Sequence, residues 1–433
     1  MWDFSTEPEF QEKLDWMTQF VRDEVEPIDL IFAYPGAHAD TGNGKAREII
    51  EPLRQQVRAK GLWACHLGPE LGGKGYGQVK LALMNEILGR SKWAPTIFGT
   101  AAPDTGNAEI LAMFGTQAQK AQYLQPLLDG KIVSCFSMTE PQAGSDPREF
   151  TCSARKQGDE WVINGEKWFS SHARFAEFFI IMAVTDPSAD VREGRLSMFI
   201  APADTPGIEI LRNVGTMGEA EGQGTHGYMR YNDLRLSADA LLGEVGKGFQ
   251  VAQARLGGGR VHHAMRVVGK SRRAFDMMRE RAVSRRAQGQ LLAQKQLVRA
   301  FIADSAIELE QFRLLVLQTA WKIDNLPHGA AKTDIAMCKV AAPKVQRAIV
   351  DRAIQLHGSL GVTTELPLAW LYFDAAAMSL VDGPTEVHKM TVAKAFLKDV
   401  KPAPGLFPSE HVLARREAAR DRYAEYFPEE AAE

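Results

Sequence analysis

The stretch that decides the fold runs from Ser134 to Ser171. It opens Ser134-Cys135-Phe136-Ser137-Met138-Thr139-Glu140-Pro141-Gln142-Ala143-Gly144-Ser145-Asp146 and closes Trp161-Val162-Ile163-Asn164-Gly165-Glu166-Lys167-Trp168-Phe169-Ser170-Ser171. The second half predicts a β-hairpin. Asn-Gly tolerates positive φ at both central positions of a type I′ turn, and the Trp, Val, Ile and Phe residues around it suit a pleated, partly buried surface. The first half joins a short apolar run to a Thr-Glu-Pro corner and a Gln-Ala-Gly-Ser turn. That exposes hydroxyls and backbone N–H groups at a strand end. Flat aromatic surface beside free donors suits a planar, polar cofactor such as an isoalloxazine ring.

Outward from this stretch the signal changes in both directions. Upstream, residues 1 to 130 read as helical. Phe10, Leu14, Met17, Phe20, Val21 and Val25 fall at helical spacing until Pro27. Ala46–Lys60, Gln78–Leu88 and Gln117–Leu128 follow, with Pro52 arguing against an unbroken helix in the first of these. Pro35-Gly36, and Gly42 with Gly44, mark loops. Gly68-Pro69-Glu70-Leu71-Gly72-Gly73-Lys74-Gly75 comes close to a phosphate-binding loop. Gly75 stands where a Ser or Thr would hold magnesium, so a glycine-rich turn is expected instead.

From 131 to 245 short apolar segments alternate with polar turns, as in an all-β domain: Ile132–Met138, Trp161–Ile163, Lys167–Phe169, Phe178–Val184, Leu196–Ile200 and Ile208–Leu211. From 246 to 433 helices return. Phe249–Arg285, Leu291–Ile323 and Ala330–His357 are long enough for a four-helix-type bundle, with Pro343 a kink site and Gly257-Gly258-Gly259 interrupting the first. That triplet marks either a kink or close helix contact, or a ligand crossing bare backbone. The fold class is therefore α+β and multidomain.

The chain has 433 residues, 45% hydrophobic and 24% charged, with a formal charge of −3. That balance gives no electrostatic case for nucleic acid or an anionic membrane. Arg272, Arg273, Arg279, Arg281, Arg285 and Arg286 cluster, as a solvated helix face or as an anion site. Cys65, Cys135, Cys152 and Cys338 are too scattered for a disulfide framework or a zinc site, so no metal is expected. Met1-Trp2-Asp3-Phe4 lacks the basic start of a signal peptide, and Phe178–Val184 is too short to span a bilayer. A cytoplasmic protein is expected; a mitochondrial matrix location stays open if a transit peptide is missing.

Met-Thr-Glu-Pro-x-Ala-Gly-Ser-Asp followed by Ile-Asn-Gly-x-Lys-Trp-Phe-Ser-Ser resembles the acyl-CoA dehydrogenase family, and the resemblance extends over essentially the whole chain. It implies a helical domain, a central β-domain and a helical bundle, with FAD as cofactor. It implies an acyl-CoA substrate, electron-transfer flavoprotein as acceptor, and a homodimer or homotetramer. By the same resemblance Phe136, Met138 and Thr139 line the flavin, Trp168 flanks it and Ser170 bonds its N5 edge. Ser145 lies near the CoA part of the substrate.

Arg285-Arg286-Ala287-Gln288-Gly289 is similar to the family's Arg-x-x-Phe-Gly loop, with Gln296 at the usual distance and Gln288 in place of phenylalanine. The resemblance implies that Arg285 reaches the pyrophosphate of FAD across a subunit interface, and an arginine fork suits phosphate oxygens. Gln355-Leu356-His357-Gly358-Ser359-Leu360-Gly361 is similar to the Gln-x-x-Gly-Gly-x-Gly turn that contacts FAD, with Ser359 replacing the second glycine. That exchange is tolerable where the local φ is negative.

The last motif is Val381-Asp382-Gly383-Pro384-Thr385-Glu386. The family's usual Glu-Gly-Thr carries the base that takes the α-proton while hydride leaves the β-carbon. Asp-Gly-Pro implies Asp382 as that base, Gly383 at the substrate, and Thr385 and Glu386 near FAD. Some members instead carry the base just before the arginine of the long helix; here Gly259 precedes Arg260, which removes that option and leaves Arg260 at the acyl-CoA. His262 and His263 point to different helix faces and form no metal pair, and at least one of them reads as an ordinary packed histidine. The alternatives to a dehydrogenase are a flavin oxidase or monooxygenase on the same fold, or a binding protein that retains it.

Overall fold

Apolar residues three and four apart build the first layer. The computed structural model describes residues 4–32, 44–327 and 329–426. In it α1 (Pro8–Phe20) buries Phe10, Leu14, Met17 and Phe20 and continues as a π-turn over Val21–Val25 into α2 (Ile28–Ile31). Next come α3 (Gly44–Ala59), α4 (Gly77–Leu88), α5 (Ala94–Ile97) and α6 (Asp104–Phe114). Thr116 and Gln119 then form a capping box that starts α7 (Gln117–Gln119), which passes through a π-turn to α8 (Gln125–Leu128).

Gly44 opens α3 rather than a loop, and α3 runs unbroken through Pro52, held by burial of Ala46, Ile50, Leu53 and Val57. The loop expectations at Pro35-Gly36 and Gly42 lie outside the described residues. The glycine-rich stretch after Leu67 is a tight turn, with a single 3₁₀ turn over Pro69–Leu71 and positive φ at Gly72 and Gly75. Sequence periodicity misses α6 because nearly its whole circumference is buried, which removes the polar face.

The middle of the chain is one seven-stranded sheet: β1 (Ser134–Ser137), β2 (Ser153–Gln157), β3 (Glu160–Ser171), β4 (Phe178–Val184), β5 (Leu196–Pro202), β6 (Ile208–Val214) and β7 (His226–Ser237). The order is β1-β4-β2-β3-β7-β6, with β5 on β4 and a further β1–β3 pairing at Phe136 and Ser171 that closes a four-strand circuit. All pairings are antiparallel except β1–β4 and β2–β4.

The expected hairpin at Asn164-Gly165 is absent. Those residues lie inside β3, at a bulge against β7, with Gly165 at φ 144. Asn164 binds sideways instead, giving its amide to Asp233 Oδ1 at 3.0 Å and accepting the Asp233 N–H at 2.9 Å. The actual two-residue turn is Gly158-Asp159, joining β2 to β3 where Gln157 pairs with Glu160. A second one, Gln288-Gly289, has φ of 53° and 78° and joins β8 (Arg286–Ala287) to β9 (Gln290–Leu291). The long β7 escapes an apolar-run search because it alternates, with Met229, Tyr231, Leu234 and Leu236 inward and Arg230 and Arg235 outward.

The third layer is α9 (Gly248–Ser284), α10 (Gln296–Asn325), α11 (Lys332–His357) and α12 (Leu368–Met378), packed through Met265, Val268, Phe275, Phe312, Val316, Ile349 and Leu371. Neither the glycine triplet nor Pro343 ends its helix. Arg272 pairs with Glu86, Arg273 with Glu26 and Asp29, and Arg279 with Asp276, so half of the arginine cluster is engaged with carboxylates.

Contacts divide the chain into two compact units, Met1–Lys389 and Met390–Glu433. The second, which the sequence reading placed within the bundle, holds the end of α13 (Thr385–Leu397) and α14 (Val412–Arg422). No described helix is long and apolar enough to cross a membrane.

Candidate functional site

One apolar cluster gathers α6, β1, β4 and α9 through Ala108, Ile110, Phe136, Ile180 and Val251. A polar chain runs along it. Asp104 accepts from the Ser134 N–H at 2.8 Å and the Ser134 hydroxyl at 2.6 Å. Asn107 donates to Ser134 Oγ at 2.8 Å and accepts from Arg255 Nε at 2.8 Å. The Arg255 guanidinium lies 3.9 Å from the centre of the Phe136 ring. Through these contacts Arg255, on α9, ties the end of β1 to the helical bundle. The sequence reading passed over it, along with Asp104, Asn107 and Glu109.

At the Thr139 corner the chain turns back on itself, with Glu140 N–H to Ala143 O at 2.9 Å and the return bond at 3.1 Å. The turn is anchored by a wholly buried ion pair, Lys167 Nζ to Glu140 Oε1 at 2.8 Å. Lys167 also donates to Met138 O at 2.8 Å, and Glu140 accepts the N–H groups of Thr151 at 2.7 Å and Cys152 at 3.0 Å. Burial works against the Glu140 charge, but Lys167 and these donors outweigh it and hold the carboxyl below its ordinary value. The result is a fixed corner in which Trp168 N–H donates to Thr139 O at 2.7 Å.

Thr139 and Trp168 thus come together, with Met138 alongside. Trp168 Nε1 is buried and has no partner among the described residues. A buried ring N–H without an acceptor among the described residues, on a partly exposed aromatic whose backbone is bonded to Thr139, fits the acceptor-rich edge of a flavin. Ser170 is wholly buried, and its hydroxyl is shared with Ser137 at 2.9 Å, which also receives Tyr231 Oη at 2.7 Å. The bulge at Phe169, φ 54°, turns Phe169 outward and Ser170 into the sheet. Ser145 is exposed on the turn.

The second focus is Asp382, on the loop between α12 and α13 and in the left-handed region at φ 53°. Its carbonyl accepts from Arg260 Nε at 2.8 Å and faces His388 Nε2 at 3.3 Å. Its carboxylate lies 3.5 Å from His263 Nε2. Gly259 lies under that carboxylate, since a Cβ there would sit 3.0 Å from Asp382 Oδ2; a Cβ on Gly258 would come within 2.7 Å of Glu109. Two of the three glycines therefore admit carboxylates close to the helix backbone. Gly383, at φ 100°, brings His388 close to the loop. Burial pushes Glu109 up to about 8 against the pull of Arg255.

The remaining expected residues lie elsewhere. Arg285, Gln296, Gln355, Gly358, Ser359 and Glu386 are exposed, and Thr385 is half-buried at the start of α13, its N–H on Ser379 O at 2.9 Å. Gly358 has φ 67°, whereas Ser359 takes no positive φ, so the serine is unstrained there. Among the described residues no cluster could hold a metal, and the four cysteines are free and buried.

Three family models match successive parts of the chain: acyl-CoA dehydrogenase N-terminal domain over 7–131, middle domain over 135–233 and C-terminal domain over 246–397. The chain belongs to the acyl-CoA dehydrogenase family. A probable acyl-CoA dehydrogenase of Mycobacterium tuberculosis is 44% identical over 360 residues, covering 82% of this chain and 87% of that one. Acyl-CoA dehydrogenase family member 10 of Mus musculus is 40% identical over 400 residues, 90% of this chain but 37% of the mouse protein. Family member 11 of Rattus norvegicus is 40% identical over 397 residues, and the chain spans half its length. Among solved structures, a putative acyl-CoA dehydrogenase from Mycobacterium abscessus aligns with TM-score 0.83 and 40% identity, covering 91% of this chain and 99% of that one. Butyryl-CoA dehydrogenase from Megasphaera elsdenii aligns with TM-score 0.77 and 26% identity over 92% and 100%.

This acyl-CoA dehydrogenase fold carries an acid liability. Burial pushes His66, His172 and His263 down to about 4 from 6.5, and pushes His262 well below 6.5. Below pH 6.5 the unfolded chain takes up protons that these folded rings refuse until about pH 4. Stability therefore falls with pH across that window, by ~1.4 kcal/mol per unit for each ring. Asp104, raised to about 6, and Glu109, raised to about 8, act the other way, because the folded state gains their protons first. The histidines outnumber them. Urea midpoints measured from pH 7 to 4.5 are expected to fall steadily; a flat or rising series would contradict this balance.

Proposed function

We propose that the protein is an FAD-dependent acyl-CoA dehydrogenase, introducing an α,β double bond into an acyl-CoA thioester and passing electrons to electron-transfer flavoprotein. The observation that carries the reading is the Asp382 carboxylate, laid over the bare backbone of Gly259 on α9, the helix whose Arg255 also lies 3.9 Å from the centre of the Phe136 ring. When bound, FAD supplies the hydride acceptor. Phe136, Met138, Thr139 and Trp168 would hold its ring system. Asp382 takes the α-proton, and Arg260, by fixing the Asp382 carbonyl, keeps the base on its loop. Gly383 and Ser145 would lie along the substrate. Arg285, Gln296, Gln355, Gly358 and Ser359, exposed in the single chain, would meet FAD of a neighbouring subunit in a homodimer or homotetramer, with Thr385 and Glu386 nearby.

The purified protein is expected to be yellow and oligomeric by light scattering, and to bleach anaerobically with accepted members of an acyl-CoA panel. Slow return of colour in air supports a dehydrogenase, whereas rapid return would make it an oxidase. A colourless protein that binds no FAD would leave only a binding role.

A further inference from the structure

We propose that His263 is a positioning residue for Asp382, donating from Nε2 to the carboxylate and holding it against α9 in the orientation that accepts the α-proton. The proposal rests on the reading of Asp382 as the base. Its basis is the way one short span of α9 meets one aspartate. Gly259 and His263 are four residues apart and therefore share a helix face. Gly259 makes room for the carboxylate, with 3.0 Å between its would-be Cβ and Oδ2, and His263 meets the same Oδ2 at 3.5 Å. Arg260, between them in sequence, takes the Asp382 carbonyl at 2.8 Å rather than the carboxylate. The guanidinium thus anchors the backbone, and the carboxylate is left to the imidazole.

That division matters chemically. A cation bonded to the carboxylate would weaken it as a base. His263 is held neutral instead: burial, then Arg266, Lys339 and Lys270, push it down to about 4, against the pull of Asp382. A neutral N–H donor orients a carboxylate while taking little of its basicity. The separation of 3.5 Å is long for a hydrogen bond, and such contacts tighten when substrate closes the site. Asp382 needs a restraint of this kind because it sits on a loop at φ 53°, followed by a glycine at φ 100°.

The test isolates proton removal. A 3-thia-acyl-CoA can lose its α-proton but has sulfur in place of the β-carbon, so it has no hydride to give. Exchange of its α-hydrogen with D₂O is followed by NMR on the FAD-loaded protein, beside flavin reduction and acyl-CoA binding. His263→Leu is expected to slow exchange and reduction together by about 10–10²-fold, the scale of a small misplacement of a reacting group, with acyl-CoA affinity and FAD content kept. His263→Gln places an amide N–H near the former Nε2 and should recover most of the loss. His263→Asn, too short to reach, should not. Native exchange in His263→Leu or His263→Asn overturns the proposal, as does His263→Gln being as slow as His263→Leu. Should His263→Leu not fold, the Asn and Gln pair decides alone. Asp382→Asn is run in parallel: native exchange in that variant would overturn the base assignment itself, whereas loss there with native exchange in the histidine variants overturns only the role of His263.

Discussion

Asp382→Asn protein is expected to bind FAD and acyl-CoA normally and to reduce its flavin about 10²–10⁴-fold more slowly, the usual cost of a lost general base. Asparagine keeps the size of the side chain but cannot accept a proton. The loop should survive the change, because what holds it is the Asp382 carbonyl on Arg260 at 2.8 Å, which the substitution leaves in place. Asp382→Glu is expected to recover part of the rate. Its carboxylate starts one methylene further out, and the space above Gly259 is already limited to 3.0 Å from a would-be Cβ. Anaerobic stopped-flow bleaching with an accepted acyl-CoA measures both. Near-native bleaching by Asp382→Asn would send the proton elsewhere. The next carboxylate to examine would then be Glu109, which reaches the same helix at Gly258, rather than the exposed Glu386.

The layers of this fold were legible because they depend on period and punctuation. Phe178–Val184 was read with the bounds it has, since a buried strand is a continuous apolar run. Asn164-Gly165 was misread because the local preference of Asn-Gly for a tight turn competes with pairing along both edges of β3. Nine residues of β3 paired with β7, with Asn164 bonded to Asp233, outweigh one turn. The same competition explains Gln288-Gly289, which turns sharply without the usual asparagine because only two-residue strands flank it.

In the site, Thr139, Trp168 and Asp382 could be picked out by motif, but not the residues that hold them. Glu140 and Lys167 are 27 apart in sequence, and each alone reads as an ordinary surface charge. The signal that was available is placement: Lys167 sits in a strand at a position whose neighbours Trp161 and Ile163 point inward. A lysine on the buried parity of a strand requires an internal partner. His263 gave no such signal, because its meeting with Asp382 depends on how α9 passes beneath the α12–α13 loop.

That buried pair leads to the second large effect. Lys167→Met is expected to cost about 3–5 kcal/mol of stability, the range for breaking one side of a buried ion pair. The loss arises because Glu140, wholly buried, would keep its charge against the Thr151 and Cys152 N–H groups without a counter-cation. Glu140→Gln should cost about as much, since it leaves the buried Lys167 charge without a counter-anion, with Met138 O at 2.8 Å and the Phe150 ring 4.5 Å away. The double variant Glu140→Leu with Lys167→Met removes both charges and should lose less than the two single losses summed, because neither is left uncompensated. Denaturant midpoints of the four proteins give the coupling directly. The consequence for function is specific. The pair fixes Met138, Thr139 and Trp168 relative to one another, so both single variants should release flavin at denaturant concentrations where the helical layers remain folded by circular dichroism. Unchanged midpoints in either single variant would mean that water reaches the pair. Simultaneous loss of flavin and helix would mean that the corner has no local stability of its own, and that the β-domain and bundle unfold as one.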